Sequence, residues 1–327
     1  MKRAFAEWEK QELLMVAAPH ENTDWKPYLS EIRSAYVEFV KAASAFEKVL
    51  VIASSFNDFL PFAGVENVEF FAAQTNDTWI RDYGAIDIFD TELDKAVSYD
   101  FNFNAWGGKF ECGLDNALNS KLFGEFFGTN LEKINLILEG GSVEFNGEGV
   151  LLTTSECLLN DNRNALSKES LEERLSELFG LKKIIWLSEG FIKGDDTDSH
   201  IDTLARFVAP NVVALAACED EADEHFAPLK ALEKQVCAAG FEVVRLPLPS
   251  QIEFEGRRLG ATYCNFVFVN GGLIVPTYND LRADEFALEA LQKALPNRKV
   301  VGVDASVFIR QNGSLHCSCQ NRFLAKR

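Results

Sequence analysis

The sequence has no apolar run of the roughly 18 residues that a membrane-spanning helix needs. Its opening stretch, MKRAFAEWEKQELLMVAAPH, carries acids through its middle and no continuous apolar block, so it does not read as a secretory leader. The expected location is the cytoplasm, with no membrane partner. Positive charge is scarce: 32 Lys and Arg stand against 50 Asp and Glu, a net charge of −18. That balance argues against nucleic acid, whose partners present basic faces. It suits a small cationic ligand drawn inward by a negative field, although solubility alone would also account for it. No Pro/Gly/Ser-rich linker and no low-complexity segment divides the chain, so residues 1–327 read as a single catalytic-sized domain.

Paired metal-ligand spacings are also missing. Zinc needs about four ligands, commonly supplied as C-x-x-C or H-x-x-x-H pairs. Here Cys317 and Cys319, with His316 beside them, have no second pair to answer them, so no metal is expected. The seven cysteines are an odd number, and most sit singly in apolar runs such as VVALAAC (Cys218) and ATYCNFVFV (Cys264). This is the pattern of buried reduced thiols rather than of a disulfide framework.

What is present is a repeat of pattern. PYLSEIRSAYVEFVKAASAFE leads into KVLVIAS, LDNALNSKLFGEFFG into INLIL, and SKESLEERLSELFG into KKIIWLS. EADEHFAPLKALEKQVCAAG leads into FEVVRLPL, and ADEFALEALQKAL into KVVGVDA. The first member of each pair has apolar residues at i, i+3 and i+4, and the second reads as a buried strand. Between pairs, VEFNGEGVLLTT and FVFVNGGLIVPT each place Asn-Gly between strand-like runs, a hairpin signal. The unit is therefore a hairpin, a helix and a strand, about five times over. A doubly wound sheet would not need the hairpins. Repeated supersecondary units point to a radial, propeller-like α/β fold.

Four stretches are more polar than their surroundings require. NDTWIRDYGAIDIF crowds Asp77, Arg81 and Asp82 beside Trp79, which a salt-bridged turn would also explain. LEGGSVEF ends a buried strand on Glu139, and its two glycines allow a sharp turn or a close approach to another segment. In KGDDTDSHIDTLARFV, His200 and Asp202 are two apart and would share a face if the segment were extended. A solvated acidic loop is the bland alternative. NGSLHCSCQNR places Cys317 just after a turn, where a plain buried thiol is the commoner fate. Each stretch belongs to a different unit. In a radial fold they would meet as one thiol, one imidazole and several carboxylates. That is the layout of covalent catalysis, in surroundings that match the planar, permanently charged guanidinium group.

These residues resemble the agmatine deiminase family of guanidino-group-modifying enzymes, together with the related bacterial peptidylarginine deiminases. The matching stretches are AEWE, PHENTDW, NDTWIRDYGAI, EGGSVEFNGEGVLLTTSECLLNDNRN, DTDSHIDTLARF, VPTYND and the terminal GSLHC, spread over the whole chain. The resemblance implies a five-bladed α/β propeller (the pentein fold), five ββαβ units around a central active site. It implies that Cys317 is the nucleophile, that Asp82 and Asp202 hold the guanidinium nitrogens, and that His200 is the general acid/base. Glu139 would support that histidine and the substrate. Trp79 would wall the pocket, Asp198 would line it, and Cys319 has no matching role. Three departures stand out: the family's usual Gly before the histidine is Ser199, Thr203 follows Asp202 in place of Asn, and Ser314 and Leu315 replace Asn-Ile before His316.

The activity implied is hydrolysis of agmatine to N-carbamoylputrescine and ammonia through a Cys317 amidino-thioether, in putrescine and polyamine biosynthesis, without metal or organic cofactor. The family is compatible with a homo-oligomer. Peptidylarginine as substrate is the close alternative. A non-catalytic polyamine or guanidine binder is the distant one, and it would be expected to lack the thiol or the imidazole. An amide-cleaving cysteine hydrolase would want a backbone oxyanion hole, against which several carboxylates would work.

Overall fold

The computed structural model describes residues 2–324. Five sheets share one order: an antiparallel hairpin, a helix, and a strand returning parallel to the hairpin's second strand. The first joins Ile86–Asp90 and Lys95–Asn102, and then, after the helix Gly113–Leu122, Leu131–Ile137. The second runs Glu144–Phe145, Val150–Thr154, helix Lys168–Phe179 and Lys183–Leu187. The third runs Ala205–Ala209, Val212–Ala217, helix Phe226–Ala238 and Glu242–Pro247. The fourth runs Val267–Val269, Gly272–Thr277, helix Leu281–Ala294 and Lys299–Asp304.

The fifth unit is split between the chain ends. The terminal strand Cys319–Phe323 lies antiparallel to Gln11–Ala17, which leads through the helix Leu29–Ser44 to Val49–Ala53 and on to a fourth strand, Val68–Ala72. Lys2–Ala4 adds to the edge of the first sheet, and a two-stranded ribbon, Glu253–Phe254 with Arg257–Arg258, completes the strands of the described residues. The sequence pattern of hairpin, helix and strand is thus found five times.

The helices form where an apolar stripe recurs. Ile32, Tyr36, Phe39, Val40 and Ala43 are the buried face of Leu29–Ser44, and Leu171, Leu175, Leu178 and Phe179 that of Lys168–Phe179. The latter starts at Ser167, whose side chain accepts from Ser170 N. It stops at Gly180, where φ is +64° and an added Cβ would lie 1.8 Å from the Lys2 carbonyl oxygen. The strands facing these helices are nearly continuous apolar runs: all five residues of Val49–Ala53 are buried. Among the described residues no helix is long and apolar enough to cross a membrane.

One local expectation fails. The His200–Asp202 segment is not extended. His200 precedes a single helical turn, Ile201–Leu204, so Asp202 lies inside that turn. The two side chains still face one spot, the backbone at Gly141, because the turn is approached there by a neighbouring segment and not because of a period of two.

Candidate active site

Each of the five hairpins is preceded by a short turn, and these turns carry the polar residues. Asp82 lies four residues before the strand Ile86–Asp90. Glu139 lies five before Glu144–Phe145, His200 and Asp202 five and three before Ala205–Ala209, and Cys317 two before Cys319–Phe323. The remaining unit supplies Asn265, two residues before Val267–Val269. Their convergence is shown by direct contacts. Gly141 N donates to Asp82 Oδ1 at 2.9 Å, and Arg81 N donates to the Cys317 carbonyl at 3.3 Å. A Cβ on Gly141 would come within 2.7 Å of His200 Nδ1, 2.9 Å of Asp82 Oδ1 and 3.0 Å of Asp202 Oδ2. On Gly140 it would lie 2.1 Å from the Arg81 carbonyl oxygen. The paired glycines are thus where one turn fits against two others, those bearing Asp82 and His200.

The Cys317 thiol is 3.6 Å from Asp202 Oδ2 and receives an N–H from Asn265 Nδ2 at 3.2 Å. Asn265 Oδ1 in turn accepts from the backbone N–H groups of His316 (2.9 Å) and Cys317 (3.3 Å), which fixes the thiol's turn. Burial, then Asp202 and Asp82, push the Cys317 pKa well above the ordinary thiol value, so the empty site holds a neutral S–H.

Asp82 Oδ2 accepts the indole N–H of Trp106 at 2.9 Å. Trp106 is delivered by a backbone in which Ala105, Trp106, Gly107 and Gly108 all have positive φ, from +52° to +92°. Such a run is costly for residues with a Cβ and persists where surrounding contacts impose it.

The His200 imidazole is 1% exposed, with Nδ1 3.6 Å from Asp82 Oδ1. Among the described residues, neither Glu139 Oε2 nor Asp202 Oδ1 has a hydrogen-bond partner. Burial works to lower the His200 pKa, but Asp82, Cys157 and Glu139 outweigh it and hold the group well above the usual histidine value. His200 is therefore an imidazolium with a proton to give. Asp202 shows the opposite balance: burial favours its acid form, but a hydrogen bond from His316 (2.7 Å) keeps it an anion. Glu139, fully buried, accepts from Arg163 Nε at 2.6 Å, and Arg163 Nη1 continues to Asp198 Oδ2 at 2.7 Å. Asp198 accordingly anchors Arg163 and Asn162 rather than reaching the thiol. Glu139, Cys157 and His200 each bring one ligand atom within 4.8 Å of the others. The guanidinium already on Glu139 opposes a cation there.

A narrow cleft of about 50 Å3 opens onto Cys317 and Asp82. Trp79, Trp106 and Phe110 wall it, and Asp24, Asp77 and Asp196 add negative charge, with no Lys or Arg among the described residues of the lining. Trp79 is held by the Trp25 ring at 5.7 Å and by the absence of a side chain on Gly313, whose Cβ would sit 2.4 Å from the indole.

Sequence reasoning located Cys317, His200, Asp82, Asp202, Glu139 and Trp79, and the structure brings them together. It missed Asn265, Trp106 and Arg163. Asn265 had a usable signal, since it occupies the position in its unit that Cys317 occupies in its own. Trp106 had none, because its role depends on an unusual backbone path. The salt-bridged turn that would also have explained this stretch does not form at Arg81, which donates to Gln320 Oε1 (2.6 Å) and Asn321 Oδ1 (2.7 Å) on the terminal strand.

Comparison with known proteins agrees with this arrangement. The sequence model of the Porphyromonas-type peptidyl-arginine deiminase family matches residues 3–322. An agmatine deiminase of Medicago truncatula is 31% identical, over 97% of this chain and 95% of its own. The structure of a cysteine-to-serine variant of C. jejuni agmatine deiminase with substrate bound is 57% identical with a TM-score of 0.98, covering all of this chain and 98% of that one. A dimethylarginine dimethylaminohydrolase, only 13% identical, still superposes with a TM-score of 0.53 over 95% of this chain and 99% of its own, which shows the same α/β pentein fold.

Proposed function

Since the chain belongs to the Porphyromonas-type peptidyl-arginine deiminase family, we propose that it hydrolyses agmatine to N-carbamoylputrescine and ammonia. It is a hydrolase acting on a guanidino C–N bond. The observation that carries the substrate is the cleft above Cys317. It is walled by aromatic rings, lined by carboxylates and free of basic side chains. A planar cation with a second positive charge at its far end fits such a cleft, whereas the α-carboxylate of free arginine has no partner there. The 57% identity to an agmatine deiminase along the whole chain supports the same choice.

In this reading Asp82, oriented by Trp106, and Asp202, through its free Oδ1, hold the guanidinium nitrogens and present the central carbon to Cys317. The substrate's charge offsets the two carboxylates that keep the thiol neutral, and the thiolate adds to the carbon. His200 gives its proton to the departing ammonia, leaving an amidino-thioether. The imidazole then takes a proton from water, which attacks the same carbon and releases the ureido product and the thiolate. Glu139 and Arg163 set the charge beside His200, and Trp79 walls the cleft. The five hairpin units form a five-bladed arrangement around this centre, a single catalytic domain supplied by every unit.

Peptidylarginine is the second reading, favoured by the name of the matching family model. Ammonia release from agmatine, arginine and a blocked arginyl peptide, with wild type and Cys317→Ser in parallel, separates the two. Activity on agmatine alone, lost in the variant, is expected. Turnover of the peptide would overturn the substrate assignment, and an active Cys317→Ser enzyme would overturn the nucleophile.

A further inference from the structure

The cleft is closed behind Cys317. The turns at 81–82 and 316–317 form its floor, joined by the bond from Arg81 N to the Cys317 carbonyl. A separate cavity lies beyond that floor, lined by Arg81 and His316 among others, and it shares no lining residue with the cleft. His316 is fixed on that side, with Nδ1 2.7 Å from Asp202 Oδ2 and Nε2 2.7 Å from Glu7 Oε2. Substrate therefore enters by the outer rim.

Exposure sorts the lining of the cleft by depth. Trp79, Asp82, Cys317 and Trp106 are all 8% exposed or less. Phe110 is 50% exposed and the Asp196 side chain 46%, so these two stand at the rim. They belong to separate segments: Phe110 follows the left-handed run Ala105–Gly108, and Asp196 lies four residues before His200. Lys109, next to Phe110, ties one segment to the other. Its Nζ donates to the Asp196 carbonyl at 2.6 Å and to Asp196 Oδ1 at 3.0 Å, and lies 3.5 Å from Asp198 Oδ1. The three N–H groups of the ammonium are thus engaged, and none is left for a substrate carboxylate. Farther in, Asn104 Oδ1 accepts from Gly107 N at 2.9 Å and Asn104 Nδ2 donates to the Asn162 carbonyl at 2.8 Å. Gly107 lies against Asn162, where a Cβ would come within 2.4 Å of the amide nitrogen. Asn162 Nδ2 continues to Asp198 Oδ2 at 3.2 Å. Lys109 closes this ring of contacts on its outer side.

Agmatine is unbranched from its guanidinium to its terminal ammonium and can pass end-on through a narrow opening. An arginyl residue in a peptide branches at Cα into two runs of backbone, which a closed rim meets sideways. We propose that Lys109 is a specificity-determining residue: by tying the Trp106–Phe110 segment to the Asp196 segment, it holds the rim to the width of an unbranched alkyl chain and excludes peptidylarginine. It bonds to Asp196 and Asp198 rather than to the reacting groups, so it acts on which guanidines reach the thiol and not on the chemistry there.

The inference rests on the reaction proposed at Cys317, and its test keeps the two apart. Ammonia release gives kcat/KM for agmatine and for a blocked arginyl peptide in wild type, Lys109→Ala, Lys109→Met and Lys109→Arg. Alanine removes the tie, methionine removes the donors but keeps the apolar stem, and arginine keeps charge and donors. In the alanine and methionine variants, kcat/KM for the peptide is expected to rise by about tenfold or more over the wild-type value or its detection limit, with that for agmatine changed less than about threefold. The arginine variant is expected to keep the wild-type preference. Loss of positive charge at the rim does not produce that shift. Agmatine carries two positive charges and the blocked arginine one, so a more negative rim favours agmatine. Peptide turnover that stays at the wild-type level, or that moves in step with agmatine turnover, would overturn the inference. Should the alanine variant lack a cooperative thermal transition, the methionine variant decides. Peptide turnover by wild type as fast as agmatine turnover would instead sink the substrate assignment, and this inference with it. No ammonia from either compound in wild type would sink the reaction itself.

Discussion

At the residue scale the site works by setting two charges against their natural tendencies. Cys317 is kept neutral by burial and by Asp202 and Asp82, the two carboxylates proposed to hold the substrate. Its alkylation should therefore titrate well above the ordinary thiol range in the free enzyme. A non-reactive guanidine analogue should move the apparent pKa downward, and pH profiles of iodoacetamide labelling with and without the analogue measure this. Coincident profiles would contradict the account. Trp106 gives Asp82 a hydrogen bond to a charged, buried acceptor, worth about 1.5–3 kcal/mol. Trp106→Phe keeps the wall and removes the donor, so kcat/KM for agmatine should fall by roughly 10- to 100-fold, read by steady-state ammonia release. The cysteine, histidine and acids behind these expectations were visible in the sequence because they stand in recognisable short motifs. Trp106 was not, since it reaches Asp82 only through its left-handed backbone path; Asn265 stood in no such motif, and its partners Cys317 and His316 lie in another unit.

At the element scale, the turns before the hairpins are the working parts, and they carry the strain. Asp198 and Ser199 both have positive φ, +65° and +62°, directly before His200. Glycine tolerates this region where other residues pay roughly 1–2 kcal/mol. Ser199→Gly should therefore raise the stability by about 1 kcal/mol or less, because the Ser199 Oγ bond to Glu156 (3.1 Å) is lost. Thermal melts at fixed pH check it. The loop bearing Asp77 and Trp79 is tied to the helix Gly113–Leu122 by Asp115, which accepts from Asn76 N at 2.7 Å. Burial pushes the Asp115 pKa up to about 8. The unfolded chain releases that proton near pH 4, so between about pH 4 and 8 the folded state binds the extra proton. The group's contribution to stability is full below about pH 4 and is lost as pH rises through that window. Asp115→Asn keeps an acceptor and removes the charge, so relative to wild type it should gain roughly 4 kcal/mol between pH 5 and pH 9. Unfolding curves at the two pH values test the sign.

At the scale of the whole molecule, the chain ends complete the site. The strand Cys319–Phe323 pairs with Gln11–Ala17, and Cys317 depends on that pairing for its place. Arg322 locks the end down. It bonds to buried Asp87 and to Ser98 (2.6 Å), and its guanidinium lies over the rings of Phe123 and Phe127 at 4.7 and 4.4 Å. Removing one member of a buried pair strands the other's charge, so Arg322→Ala should cost about 3–5 kcal/mol. Denaturant unfolding would show it, with activity lost in step with folding.

The sequence by itself determined the repeating hairpin, helix and strand, because hydrophobic period and turn chemistry are local. It also marked the candidate reactive groups, because a thiol, an imidazole and the carboxylates stand in motifs of a known family. The H-x-D spacing misled, since a segment's conformation was inferred from two residues while its neighbours folded it into a helical turn. Only the tertiary structure decided which side of a turn each side chain faces. Cys317 and His316 are adjacent in the chain yet look into opposite cavities. The glycines at 140 and 141, the left-handed path to Trp106 and the carboxylates on both nitrogens of His316 are likewise matters of close approach between units. That approach is set by how five separate sheets pack together, and no stretch of one unit records where the other four will be.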